Sequence, residues 1–188
     1  MKIGISINGI IRDLLTKIKS VYEKYYDKEI SNPLTIDNLQ EELDFKTNDD
    51  LIDFLYREAP MEIFGHAKEV DDNFIRNLNS LVMDNKNHTF TILSDDVGRA
   101  IPATLWFLAK YGCMVKNIKF YTRDTVDMLW DDFDLIFTND EPIINSRPKD
   151  KLLYTFNGLN EVSSSYVLES PNKIINLEIF QTEDVERT

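Results

Sequence analysis

The chain has 188 residues, 43% apolar and 29% charged, enough for one buried core with a modest insertion. Its 33 acids against 21 bases leave a net charge of −12, which opposes a nucleic-acid partner, since that needs clustered Lys and Arg. No run approaches the roughly 18 apolar residues of a membrane span, so no membrane partner is expected.

Residues 2–7 (KIGISI) predict a strand, closed by an Asn8-Gly9 turn in which Gly9 is free to take a positive φ. Arg12 and Asp13 interrupt this first apolar stretch too early for a secretory leader. From Asp13, the residues Leu14, Leu15, Ile18, Val21, Tyr22 and Tyr25 recur at helical spacing. Lys17, Lys19 and Lys24 share that helix with Glu23 and Asp27 and read as a solvated face. Residues 31–35 punctuate. Two more helices are expected behind Thr35 and behind Thr47 or Asn48, each with acids in its first turn, the second ending at Pro60. Phe74, Leu78 and Leu81 restore helical spacing over 70–83, so the stretch 12–86 reads as helical.

From residue 87 the pattern changes. HTFTILS (88–94), NIKFYT (117–122), FDLIFT (133–138) and KLLYTF (151–156) predict strands. Between them lie a helix over 100–112, with Pro102 in its first turn and Gly112 as its stop, and a short helix or turn at 124–132. Pro142 and Pro148 bracket an expected loop, and the tail 172–180 reads as a last strand or a docking segment. Cys113 reads as a small buried hydrophobe, and its lone presence fits a reducing, cytoplasmic setting. His66 and His88 have no cysteine partner at zinc spacing.

Strands alternating with helices predict βαβ units and a parallel sheet that the first strand joins across the helical insertion. Ligands of such sheets sit beyond the carboxyl ends of the strands. Those ends present Ser6 and Asn8, Ser94 and Asp95, Thr122 to Asp124, and Asn139 with Asp140.

In order and spacing, these strand ends resemble the haloacid dehalogenase (HAD) superfamily of phosphotransferases, and within it the 5′-deoxyribonucleotidase-like branch. The resemblance implies an α/β three-layer fold, with a parallel-sheet core at 1–11 and 88–188 and a small helical cap inserted at 12–87. It also implies a nucleophilic Asp and an acid/base Asp at the first strand end, a phosphate-holding Ser or Thr and Lys, and Mg²⁺ on carboxylates. Here the stretch IGISING places Ser6 at the nucleophile position and Asn8 at the acid/base position, with Gly9 keeping the turn. Ser94 keeps the second motif, and Asn139 with Asp140 keeps half of the acidic pair. The phosphate-holding lysine falls near Ala103, which leaves Ser94, Arg99 and Lys110 as candidate anion contacts.

Asn exchanges no proton at neutral pH, and a Ser hydroxyl is a poor nucleophile without a base. The expectation is therefore a catalytically inactive HAD-like domain without a cofactor, acting as a scaffold for other proteins. FLYREAPMEIFGHA (54–67) is also similar to bacteriophage-encoded proteins, which implies a structural or accessory role in a virion, as part of a larger assembly. Two alternatives stand beside it. One is an Mg²⁺-dependent phosphatase or 5′-nucleotidase with altered residues, its metal on Asp140 with Asp13 or Asp95. The other is a phosphate- or nucleotide-binding module built on Ser6, Asn8, Ser94 and backbone N–H groups.

Overall fold

Six strands carry the sheet: β1 (Lys2–Ser6), β2 (Thr89–Ser94), β3 (Asn117–Phe120), β4 (Leu135–Phe137), β5 (Leu152–Phe156) and β6 (Tyr166–Leu168). The α-helices are α1 (Leu14–Tyr26), α2 (Leu39–Glu42), α3 (Asn48–Asp53), α4 (Phe74–Asp84), α5 (Ala100–Lys110), α6 (Leu129–Asp132) and α7 (Glu141–Asn145). The structure, a computed structural model, describes residues 1–156 and 166–181; residues 157–165 and 182–188 of the expected core segment lie outside the described residues. The chain forms two compact units, one of residues 1–11, 69–95 and 112–188, the other of residues 12–68 and 96–111.

In the first unit the strand order is β3-β2-β1-β4-β5-β6, and every neighbouring pair is parallel. The expected parallel α/β sheet with flanking helices is present. β1 is buried from Ile3 onward, as a strand covered on both faces should be. At its centre, a Cβ on Gly4 would lie 2.8 Å from Leu93 Cδ1 and 3.4 Å from Ile136 Cγ1. Glycine there lets side chains of both neighbouring strands close over β1. The chain steps outward from β1 through β2 to β3, then returns to β4 on the other side of β1. That reversal opens a crevice at the carboxyl ends of β1 and β4, where ligands of open α/β sheets bind.

A cluster of Leu93, Tyr121, Val126, Leu129, Trp130, Ile136, Ile143 and Leu153 packs α6 and α7 with the sheet residues of this unit. The buried Trp130 donates its Nε1–H to the Ile143 carbonyl at 3.2 Å. One difference from the sequence reading arises here. Residues 141–145 form α7 rather than a loop, because Pro142 sits in the first turn, where no intrahelical N–H is needed. The tail forms 3₁₀ segments at Pro171–Asn176 and Glu178–Phe180, which excludes the strand alternative there and agrees with the docking one. Pro171 supplies no ladder donor, and Asn172 binds to the start of α4, its N–H donating to Asp71 Oδ2 at 3.1 Å and its side chain accepting from Asn77 at 2.8 Å.

The second unit is helical. Asp13 caps α1 by accepting from the Thr16 N–H at 3.3 Å, and Thr47 with Asp50 forms a capping box at the head of α3. The expected stop at Pro60 is present: the helical run that begins with α3 ends at Ala59, whose φ of −123° and ψ of 27° leave the helix one residue before the proline. The chain continues through two π turns, Phe54–Glu58 and Met61–Gly65, whose wide bonds run from Ala59 N to Phe54 O and from His66 N to Met61 O, both 3.1 Å. Pro60 has no N–H to continue a ladder, so the first π turn closes at Ala59 and the second begins anew from Pro60. Ile18, Val21, Tyr22, Leu43, Phe54, Ile63, Phe64 and Ala103 form this unit's core.

Candidate functional site

Each sequence-predicted residue at the sheet crevice ends or follows a buried apolar strand, so its side chain is placed by the ladder behind it. Ser6, the last residue of β1, is buried and donates its hydroxyl to Thr138 Oγ1 at 2.7 Å. Thr138 Oγ1 also accepts from the Asp140 N–H at 2.9 Å. The first and fourth strand ends are thus stitched by neutral hydroxyls. Two residues on, Asn8 donates its side-chain amide to Asp95 Oδ1 at 2.8 Å. Gly9 follows at φ 77°, a backbone conformation that glycine takes without steric penalty. Ser94, buried at the end of β2, accepts from the Tyr121 N–H through its carbonyl at 3.0 Å.

The acidic remnant on the β4 side is split between two tasks. Asn139 Oδ1 accepts from the Phe156 N–H at 2.8 Å and so ties the loop to β5. Asp140 Oδ2 accepts from the Tyr121 hydroxyl at 2.7 Å. Burial raises the Asp140 carboxyl above its ordinary value of 3.8, opposed by the Tyr121 hydrogen bond and by the charge of Arg123.

Ser6, Asn8, Ser94, Asn139 and Asp140 all belong to the first unit. Arg99 and Lys110 belong to the second. There Arg99 donates to the Arg57 carbonyl at 3.3 Å, and Lys110 donates to the Ala67 carbonyl at 3.5 Å and lies 4.6 Å over the Tyr111 ring. Sequence reasoning missed Thr138 and Tyr121, whose hydroxyls link the crevice. The only signal was position, one residue before Asn139 and one before Thr122.

What this arrangement can do follows from its donors. The Ser6 proton is directed at another hydroxyl and not at a base, so nothing shown at Ser6 raises its nucleophilicity. Asn8 presents an amide hydrogen to Asp95 and carries no titratable proton.

No protein-family model matches the sequence, and no curated protein matches it. Solved structures do. The chain is similar to YfnB of Bacillus subtilis, a HAD-type protein solved bound to magnesium, with a TM-score of 0.61, 12% identity, and 94% of this chain and 98% of that one covered. It is similar to L-2-haloacid dehalogenase from Xanthobacter autotrophicus (TM-score 0.56, 8% identity, 94% and 97% covered). It is also similar to a HAD-superfamily hydrolase of subfamily IA from Geobacter sulfurreducens (TM-score 0.54, 11% identity, 93% and 94% covered). The chain has the HAD fold.

That fold implies Mg²⁺ held by carboxylates. At the corresponding strand ends this chain offers a hydroxyl from Ser6, amides from Asn8 and Asn139, and two carboxylates, Asp140, engaged by Tyr121, and Asp95, engaged by Asn8. A hard, strongly hydrated cation is bound through carboxylate charge; with Asp140 engaged by Tyr121, Asp95 engaged by Asn8, and no acid at positions 6, 8 or 139, this donor set fits it poorly.

Proposed function

We propose that this chain is a HAD-fold domain without phosphoryl-transfer chemistry that serves as a scaffold for other proteins. The observation that carries the reading is the Ser6–Thr138 hydroxyl pair at 2.7 Å, buried where the fold's chemistry requires a charged nucleophile. Phosphoryl transfer is mainly a problem of placing charge around phosphorus. A crevice closed by neutral hydroxyls and an amide–carboxylate pair supplies little of it. Fold and function are separable, because core packing specifies the fold while the site is grafted upon it. What is then left to select is the surface. As part of the same proposal, the resemblance to bacteriophage-encoded proteins read from residues 54–67 of the sequence puts the partner within a virion or its assembly.

The test is phosphomonoester hydrolysis with Mg²⁺, comparing the wild type with the double substitution Ser6→Asp, Asn8→Asp. The expected outcome is a silent wild type and measurable turnover by the double variant. Wild-type turnover that disappears with Asp140→Ala overturns the reading in favour of an altered phosphatase. For the scaffold role, the chain is expected to co-sediment with a large assembly in its native source. Migration there as a free monomer counts against it.

A further inference from the structure

A concave feature lies wholly within the helical unit. It is a cavity of about 270 Å³ lined by Lys17, Ser20, Val21, Lys24, Glu62 and His66. Lys17, Ser20, Val21 and Lys24 follow the i, i+3, i+4, i+7 spacing of one face of α1. Glu62 and His66 come from the second π turn and the residue after it. In a chain of net charge −12, a lining with two ammonium groups and one carboxylate has the opposite sign.

We infer that this cavity is a binding site for a small, doubly charged oxyanion of the phosphate-monoester class, with Lys17 as its principal contact. Lys24 reaches Glu62 at 3.4 Å, an exposed pair that already neutralises one charge of each sign. Lys17 is different. It is half-buried and, among the described residues, forms no ion pair. An ammonium without a counter-ion gains from an incoming anion. Ser20 and His66 add polar groups of the kind that fix an oxyanion's orientation, and Val21 gives an apolar floor. The solvated lysine face expected from sequence is therefore one wall of a site.

The experiment is a titration of the full chain at low salt with inorganic phosphate, followed by amide chemical shifts and calorimetry, with acetate as the singly charged comparison. Saturable phosphate binding is expected, with shifts at Lys17, Ser20 and His66 and with acetate markedly weaker. Lys17→Gln should weaken phosphate roughly tenfold, the effect of losing one charge-assisted hydrogen bond. Its unchanged circular dichroism would confirm that the fold survives. Binding that withstands Lys17→Gln and Lys24→Gln, or that is lost with Ser94→Ala instead, overturns the inference. So does the absence of saturation in the millimolar range.

Discussion

Arg12 is fully buried in the helical unit, and its removal gives a sharp test of how that unit is held. Its Nη2 lies 2.6 Å from Asp96 Oδ2, and its Nη1 donates to Thr104 Oγ1 at 2.7 Å and to the Phe64 carbonyl at 3.2 Å. Thr104 in turn donates to the same Asp96 oxygen. The guanidinium lies 5.0 Å from the Phe64 ring centroid and 5.6 Å from that of Phe107. Both ion-pair side chains are at most 1% exposed, so water cannot replace a lost partner. Arg12→Met keeps the aliphatic bulk but strands the Asp96 carboxylate without its cation. Breaking a buried pair from one side costs about 3–5 kcal/mol, a large share of the 5–15 kcal/mol typical of a domain's total stability. Replacing both partners by Arg12→Met and Asp96→Leu removes the stranded charge, and the double variant is expected to recover most of the loss. Urea unfolding followed by fluorescence of Trp106 and Trp130 measures all three. A single-variant loss below about 1 kcal/mol, the scale of an exposed pair, would refute the reasoning, as would a double loss equal to the sum of the singles.

Two predictions concern the sheet crevice. Because burial raises the Asp140 carboxyl, the folded state holds that proton to higher pH than the unfolded chain does. Its contribution therefore falls as pH rises from 3.8 through the raised value and then stays constant; Asp140→Asn should flatten that part of a stability-versus-pH curve, and an unchanged slope would refute it. Asn8→Asp replaces an amide–carboxylate bond of 2.8 Å with two carboxylates facing each other. A loss of about 1–3 kcal/mol is expected at neutral pH, shrinking as acid protonates one of the pair; equal losses at pH 7 and near pH 4 would contradict it.

The sheet was legible where strands are apolar and bounded. The runs ending at Ser6, Ser94 and Thr138 carry enough β-branched and aromatic residues to identify themselves, and the residues at their ends were found for the same reason. β6, three residues with two of them exposed, has no periodicity to read. Thr138 reads simply as a good strand former, and Tyr121 as a packing aromatic. Their hydroxyls acquire a task only once register brings one beside Ser6 and the other beside Asp140. Arg12 reads as a polar helix start, and its burial depends on Asp96, 84 positions away, which no local pattern encodes.

On the proposed reading, the crevice holds neutral donors where the resemblance implies acids, and its hydrogen bonds show how that is accommodated. An acidic site built to hold a cation stores like-charge repulsion whenever the cation is absent. On that reading Ser6 and Asn8 each present a hydrogen-bond donor where the resemblance implies a group that only accepts. Each donor meets an acceptor already in place, Thr138 Oγ1 for Ser6 and Asp95 Oδ1 for Asn8. Neither change leaves a buried charge without a partner, so neither incurs the main penalty of polar substitution in a core. The reverse substitutions are not equivalent. Ser6→Asp places a carboxylate beside a hydroxyl that can turn and donate to it, whereas Asn8→Asp faces Asp95 directly. Restoring the acid/base position is therefore the step that creates a need for a cation, and it is the half of the double substitution on which Mg²⁺ dependence should rest.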